Sequence, residues 1–188
     1  MFEAKIILFT VTVLLNTFDL KFRMKNKANS LNLPQTKNTN LSKATLIKAA
    51  KEIMNSTGTC ALITQDDKGI SRVRMMDPFQ PEKDLKVWFG TNPTSRKVAQ
   101  IKKNNKVTLY YRDKDDSGYV MIYGKATLIN STKAKMKYWK DTWKSFYPNK
   151  KENYLLIKVT PISMEIVSPP RNIIGSEITW EPPTIIFK

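Results

Sequence analysis

Two short stretches of the chain group residue types that together can hold an anion. In the first, Trp88-Phe89-Gly90-Thr91-Asn92-Pro93-Thr94-Ser95-Arg96-Lys97-Val98-Ala99-Gln100-Ile101, an aromatic strand ends at Phe89 and a helix follows. Thr91 or Asn92 suits a helix cap and Pro93 the first helical position, which puts Ser95, Arg96 and Lys97 in the first turn. A first turn carries unpaired backbone N–H groups and partial positive charge, so it ordinarily favours Asp and Glu. Two cations there oppose the dipole unless an anion sits between them, and with hydroxyls alongside they make a phosphate site. A solvated basic turn running on into Lys102, Lys103 and Lys106 is the alternative. In the second stretch, Gly69-Ile70-Ser71-Arg72-Val73-Arg74-Met75-Met76, alternation sends Arg72, Arg74 and Met76 to one face and Ser71, Val73 and Met75 to the other. Two arginines on an inner face need an anion or water. If that face is open to solvent instead, Met75 belongs to the core.

The composition leaves few other chemistries. The 188 residues contain no histidine, which removes serine triads, histidine bases and His-ligated zinc, and the single cysteine, Cys60, removes a disulfide framework. Cys60 alternates with Leu62 and reads as a small buried hydrophobe, a redox role being the lesser reading. Asp113, Asp115 and Asp116 lack the Glu and Gly spacing of a calcium loop and read as a turn. The net charge is +16; the first 40 residues hold six basic and two acidic residues, so +12 remains in the rest and the basicity belongs to the folded part.

Those stretches must be held in place by a scaffold. Ser42 followed by Leu46, Ile47, Ala50, Ile53 and Met54 predicts a helix closed by Gly58. From Thr59 the period becomes two, giving strands over 59–65 and 70–76 around the turn Asp66-Asp67-Lys68-Gly69. Residues 85–89 form a third strand, Lys106–Arg112 a fourth and Tyr119–Ile129 a fifth. Ser131 or Thr132 opens a helix carrying Met136, Trp139, Trp143 and Phe146 until Pro148 stops it; the pair Trp139 and Trp143, four apart, suits core packing or stacking on a ligand. Over 154–167, Pro161 predicts two short strands or one bent edge strand. Residues 169–188 are expected to be an extended tail that packs on a neighbour or frays. Six strands in mostly hairpin order, with helices at three connections, predict a mainly β, antiparallel barrel with flanking helices over 41–168.

Ahead of it, residues 6–15 form an apolar run of the length of an export-signal core, without a small-x-small cleavage site, and 24–40 read as a polar linker. The run is too short for a comfortable membrane span, so no integral membrane domain is expected. A cytoplasmic protein is the expectation, with export or tethering through residues 5–20 as the alternative.

From about Ala44 to Val167 the chain resembles the pyridoxamine 5′-phosphate oxidase superfamily of FMN-binding split barrels, especially its general-stress-protein branch. Three motifs carry the likeness in order: the glycine hairpin with an arginine strand (Gly69 to Met76), Thr-Asn-x-x-Ser-Arg-Lys with Ala-x-x-Ile (Thr91 to Ile101), and Gly124-Lys125-Ala126. The resemblance implies a six-stranded split barrel, FMN as cofactor, and a homodimer with flavin at the subunit interface. It implies that Arg74, Met75 and Met76 lie along the flavin and that Thr91, Ser95, Arg96 and Lys97 hold its phosphate. Tyr119 stands where an amide side chain often meets the flavin.

The substrate-phosphate set of true pyridoxamine phosphate oxidases is replaced by Phe79, Tyr138, Thr142 and Phe146, only the tyrosine surviving, and Trp180 is followed by Glu181 and prolines. Pyridoxamine phosphate is therefore not the expected substrate. The reading is a flavin-dependent oxidoreductase acting on a small molecule, with a flavin-binding stress or storage protein as the alternative. A basic small barrel that binds nucleic acid through Trp88, Phe89, Tyr110 and Tyr111 is the third reading. It is the weakest, because Ser-Arg-Lys makes a point anion site, not a path of charge.

Overall fold

The computed structural model describes residues 41–147 and 154–188; the apolar run, the polar linker and the Pro148 stop lie outside them. Helix α1 (Lys43–Thr57) starts where Ser42 accepts the Thr45 N–H at 3.1 Å, and it buries Leu46, Ala49, Ala50, Ile53 and Met54 along one stripe. Strands β1 (Cys60–Gln65) and β2 (Ser71–Met76) then form a hairpin. Its turn is tied by Asp66, whose Oδ1 accepts the N–H groups of Lys68 and Ile70 at 3.0 and 2.9 Å, and Gly69 supplies the left-handed φ of 75°.

β3 (Val87–Thr91), α2 (Arg96–Lys103), β4 (Lys106–Arg112), β5 (Tyr119–Ile129), α3 (Thr132–Lys137), β6 (Leu155–Val167) and β7 (Thr184–Ile186) complete the domain. The sheet runs β2-β1-β4-β5-β6-β3, with β7 also on β6, and every pairing is antiparallel. One isolated bridge, Pro78 to Phe89, joins the chain beyond β2 to β3, backed by the Phe79 N–H donating to the Trp88 carbonyl at 2.9 Å. The sheet curls round without a full closing ladder, which makes it the split barrel expected.

Three local expectations change. The tail ends in a seventh strand: β7 pairs with β6 and buries Ile185, while Phe187 packs on the core. Pro161 sits inside one continuous 13-residue strand, not at an edge. It is tolerated because β3 pairs only up to Val159 and β7 only from Ser163, and because the β5 register shifts between Tyr123 and Gly124, so no ladder donor is needed there. The helix expected to run from Thr132 to Pro148 stops at Lys137; a 3₁₀ turn, Asp141–Trp143, follows.

β3 is buried on both faces. Val87 and Phe89 enter the main core with Leu62, Leu109, Ile122, Ile157 and Ile166, whereas Trp88 joins a second cluster of Tyr138, Trp143, Tyr154 and Leu156 under the α3 segment. The strand that leads to the anion motif is thus clamped from both sides. Among the described residues no helix is long and apolar enough to cross a membrane.

Candidate anion site and its aromatic neighbour

At the end of β3 the chain makes a short turn in which Asn92 accepts the Ser95 N–H through its carbonyl at 3.1 Å and the Thr94 N–H through Oδ1 at 2.8 Å. Ser95, not Thr91 or Asn92, therefore caps α2, and Pro93 belongs to the turn ahead of it. Arg96 and Lys97 still fall at the first two helical positions. The Ser95 hydroxyl makes no capping bond to the helix; it lies 3.2 Å from Thr91 Oγ1, to which Lys97 Nζ donates at 3.1 Å. Thr91 is buried and Arg96 exposed.

Arg74 reaches the same helix from β2. Its guanidinium donates to the Leu62 carbonyl at 3.2 Å, Thr64 Oγ1 at 2.6 Å and Gln100 Oε1 at 3.0 Å, and Thr64 in turn donates to Gln100 at 2.6 Å. All three acceptors are neutral, and no carboxylate among the described residues pairs with Arg74, Arg96 or Lys97. Burial, and then the charge of Arg96, lower the Arg74 pKa; burial, and then the charge of Arg74, lower that of Lys97. Three cations crowd one another without a counter-ion, and an anion placed among them relieves both effects.

Thr64 and Gln100 were not among the sequence candidates. Thr64 held the signal: after Cys60 and Leu62 it is the third inward position of β1, and a buried hydroxyl there needs a partner. The remaining candidates divide by face. Met76 is half-buried against the core on the Arg74 side, while Met75 points outward and is 65% exposed, so the reading that put Met75 in the core is wrong. Tyr119 lies on the outward face of β5, separated from β2 by the two strands β1 and β4, where it stacks on Tyr110 with centroids 5.6 Å apart. One chain does not bring it to Arg74, Arg96 and Lys97.

Beyond Gly90 the site borders the aromatic cluster. Trp139 and Trp143 meet edge to face at 6.0 Å, but across the break after α3, not as neighbours on one helix. Trp143 packs against Gly90, where an added Cβ would lie 2.5 Å from Cη2. Glu82 accepts from Trp88 Nε1 at 2.9 Å and from the Tyr138 hydroxyl at 2.6 Å, and the Tyr138 bond holds its carboxyl below the usual range. Cys60 is 1% exposed, and burial pushes its thiol up to about 12. Asp113 is paired with Arg171 at 2.8 Å, Asp115 accepts from Ser117 at 2.6 Å, and Asp116 pairs with Arg112 at 2.8 Å.

The antiparallel sheet, curled without a closing ladder and carrying a cationic strand-to-helix junction, defines a split barrel. The sequence matches the family model described as pyridoxamine 5′-phosphate oxidase like over residues 46–172, more than half of the chain, and the protein belongs to that family. No curated protein matches the chain. Solved structures with the same fold include general stress protein 26 from Bacillus anthracis str. Sterne, at 21% identity and TM-score 0.61, covering 76% of this chain and 98% of that one. A Clostridium acetobutylicum protein related to general stress protein 26 gives 21% identity and TM-score 0.63, covering 78% and 97%. A pyridoxamine 5′-phosphate oxidase-related, FMN-binding protein from Nostoc punctiforme PCC 73102 gives 13% and 0.55, covering 79% and 98%. At these identities the likeness is one of fold.

Proposed function

We propose that the protein binds FMN and works as a flavin-dependent oxidoreductase on a small molecule, as a homodimer with flavin at the subunit interface. The observation that carries the reading is the trio Arg74, Arg96 and Lys97, of which Arg74 and Lys97 are held by neutral partners, without a carboxylate among the described residues beside the Thr91 and Ser95 hydroxyls. In this reading Arg96, Lys97, Thr91 and Ser95 hold the phosphate of FMN, Arg74 and Met76 lie along its ring, and bound FMN supplies hydride or electron transfer. The FMN-binding Nostoc protein of the same fold supports the choice of cofactor.

The dimer rests on the outward face of the sheet. Register sets Met75, Ala61, Tyr110 and Met121 in one row across β2, β1, β4 and β5, with Val73, Ile63, Thr108 and Tyr123 in the next. Met75 and Val73 are 65% and 64% exposed, and a contiguous apolar face of this kind is what a subunit contact covers. Tyr119 and Met75, turned away from the anion site of their own chain, then become available to a flavin held against the second subunit.

The visible absorption spectrum of freshly purified protein, with identification of the released chromophore, tests the cofactor. A colourless protein that does not take up added FMN sinks the reading. Sedimentation at micromolar concentration should give about twice the chain mass, and a monomer that binds FMN tightly removes the interface.

A further inference from the structure

A pocket of about 270 Å³ opens directly beyond the anion site, lined by Asp77, Gly90, Thr142, Trp143, Phe146 and Tyr147. The bridge between Pro78 and Phe89 runs Met76-Asp77 antiparallel to Gly90-Thr91, so the pocket begins one residue past Met76 on one strand and one before Thr91 on the other. Its floor is the Trp143 ring on Gly90, and Phe146, 76% exposed, stands at its rim.

The pocket's charges are already satisfied. Asp77 is ion-paired to Lys140 through Oδ1 and accepts from Trp143 Nε1 through Oδ2 at 3.3 Å. Lys140 also donates to the Pro78 carbonyl at 2.8 Å and lies over the Phe79 and Trp143 rings. Among the described residues no cation lines the pocket to meet a phosphate, and the one carboxylate there, Asp77, has both oxygens engaged. What it offers is aromatic surface with two hydroxyls, those of Thr142 and Tyr147. Its volume lies just under the range of about 300–1,000 Å³ for drug-sized ligands, which suits one or two fused rings.

We infer that this pocket binds an uncharged, planar aromatic molecule, and that, on the flavin reading above, this is the class of substrate presented to the cofactor. Contact with the exposed Phe146 ring and with the part of Trp143 that reaches the pocket holds the ligand ring, and a phosphorylated ligand is rejected because its charge loses water without gaining a partner.

The test uses a matched pair, 2-naphthol and 2-naphthyl phosphate, titrated by calorimetry and tryptophan fluorescence into full-length protein with and without saturating FMN. With FMN present, naphthol should bind at least about tenfold more tightly than its phosphate ester. Phe146→Ala, a change at an exposed position, should weaken naphthol by about three- to tenfold and leave FMN affinity unchanged. Trp143→Phe should abolish the quenching. Naphthyl phosphate binding as well as naphthol to the FMN-saturated protein, or naphthol affinity indifferent to both substitutions, overturns the inference. Naphthol bound at Trp143 in a protein that takes no FMN supports the pocket assignment and sinks the flavin reading alone.

Discussion

The two ends of β3 are built on opposite principles. At its far end Thr91 hands over to Ser95, Arg96 and Lys97, where positive charge is gathered and given only neutral partners. At its near end, Trp88 enters an aromatic cluster whose neighbouring carboxylates are both satisfied within the chain, Glu82 by Trp88 and Tyr138 and Asp77 by Lys140. The chain could have supplied counter-ions to both, since 16 acidic residues are available. The aromatic region thus closes on itself, its two carboxylates satisfied within the chain, whereas no carboxylate among the described residues pairs with the cations at the far end.

The comparison breaks most readily at the cations. Replacing Arg96 and Lys97 together by Ala should weaken FMN by about two to four decades, taking roughly 1.5 to 3 kcal/mol per charge-assisted hydrogen bond. Riboflavin, lacking the phosphate, should respond far less. If parent protein binds both flavins equally, titrations will show that the open charge serves something else.

On the aromatic side, Gly90→Ala should lower stability by about 1–3 kcal/mol, because its methyl group meets Trp143 at 2.5 Å and forces the ring off its seat. Urea midpoints read this directly. An unchanged midpoint would mean that the 3₁₀ turn moves without cost and that the closed region is looser than its packing implies.

The smallest effect is a pH dependence confined to the closed region. The Tyr138 hydroxyl lowers the Glu82 pKa from its usual 4.5, so the stability Glu82 contributes is complete above that value and is lost as pH falls through the lowered one. Burial, and then Glu82, raise the Tyr138 pKa above 10, so its share is present below pH 10 and is lost as pH rises beyond it. Because Glu82 is partly exposed, the acid limb should amount to about 1 kcal/mol or less, and Glu82→Gln should flatten it. Stability measured against pH that keeps the same acid limb in Glu82→Gln would assign the effect to another carboxylate.

Period and punctuation made the scaffold legible: Ser42 and Gly58 bracket α1, Gly69 marks the hairpin, and alternation gives the strands. Pro161 misled because its tolerance depends on where β3 and β7 stop pairing, a property of two other strands. Trp139 and Trp143 share a helical spacing, yet the turn that separates them follows from where Trp143 finds Gly90, a contact some fifty residues away in sequence. In the site, Arg96 and Lys97 were visible as cations in a first turn. Thr64 could be picked out as an inward hydroxyl in need of a partner, but only the packing of α2 over β1 shows that it and Gln100 steer Arg74.

Cys60 gives the barrel a chemical clock. Alkylating reagents attack the thiolate, and a thiol 1% exposed with a pKa of about 12 offers almost none in the native state. Labelling must therefore wait for β1 to part from its neighbours, β2 on one side and β4 on the other. The modification rate in dilute denaturant measures the free energy of that opening strand by strand, and a rate faster than global unfolding would show that the edge strand β2 peels away as a unit of its own.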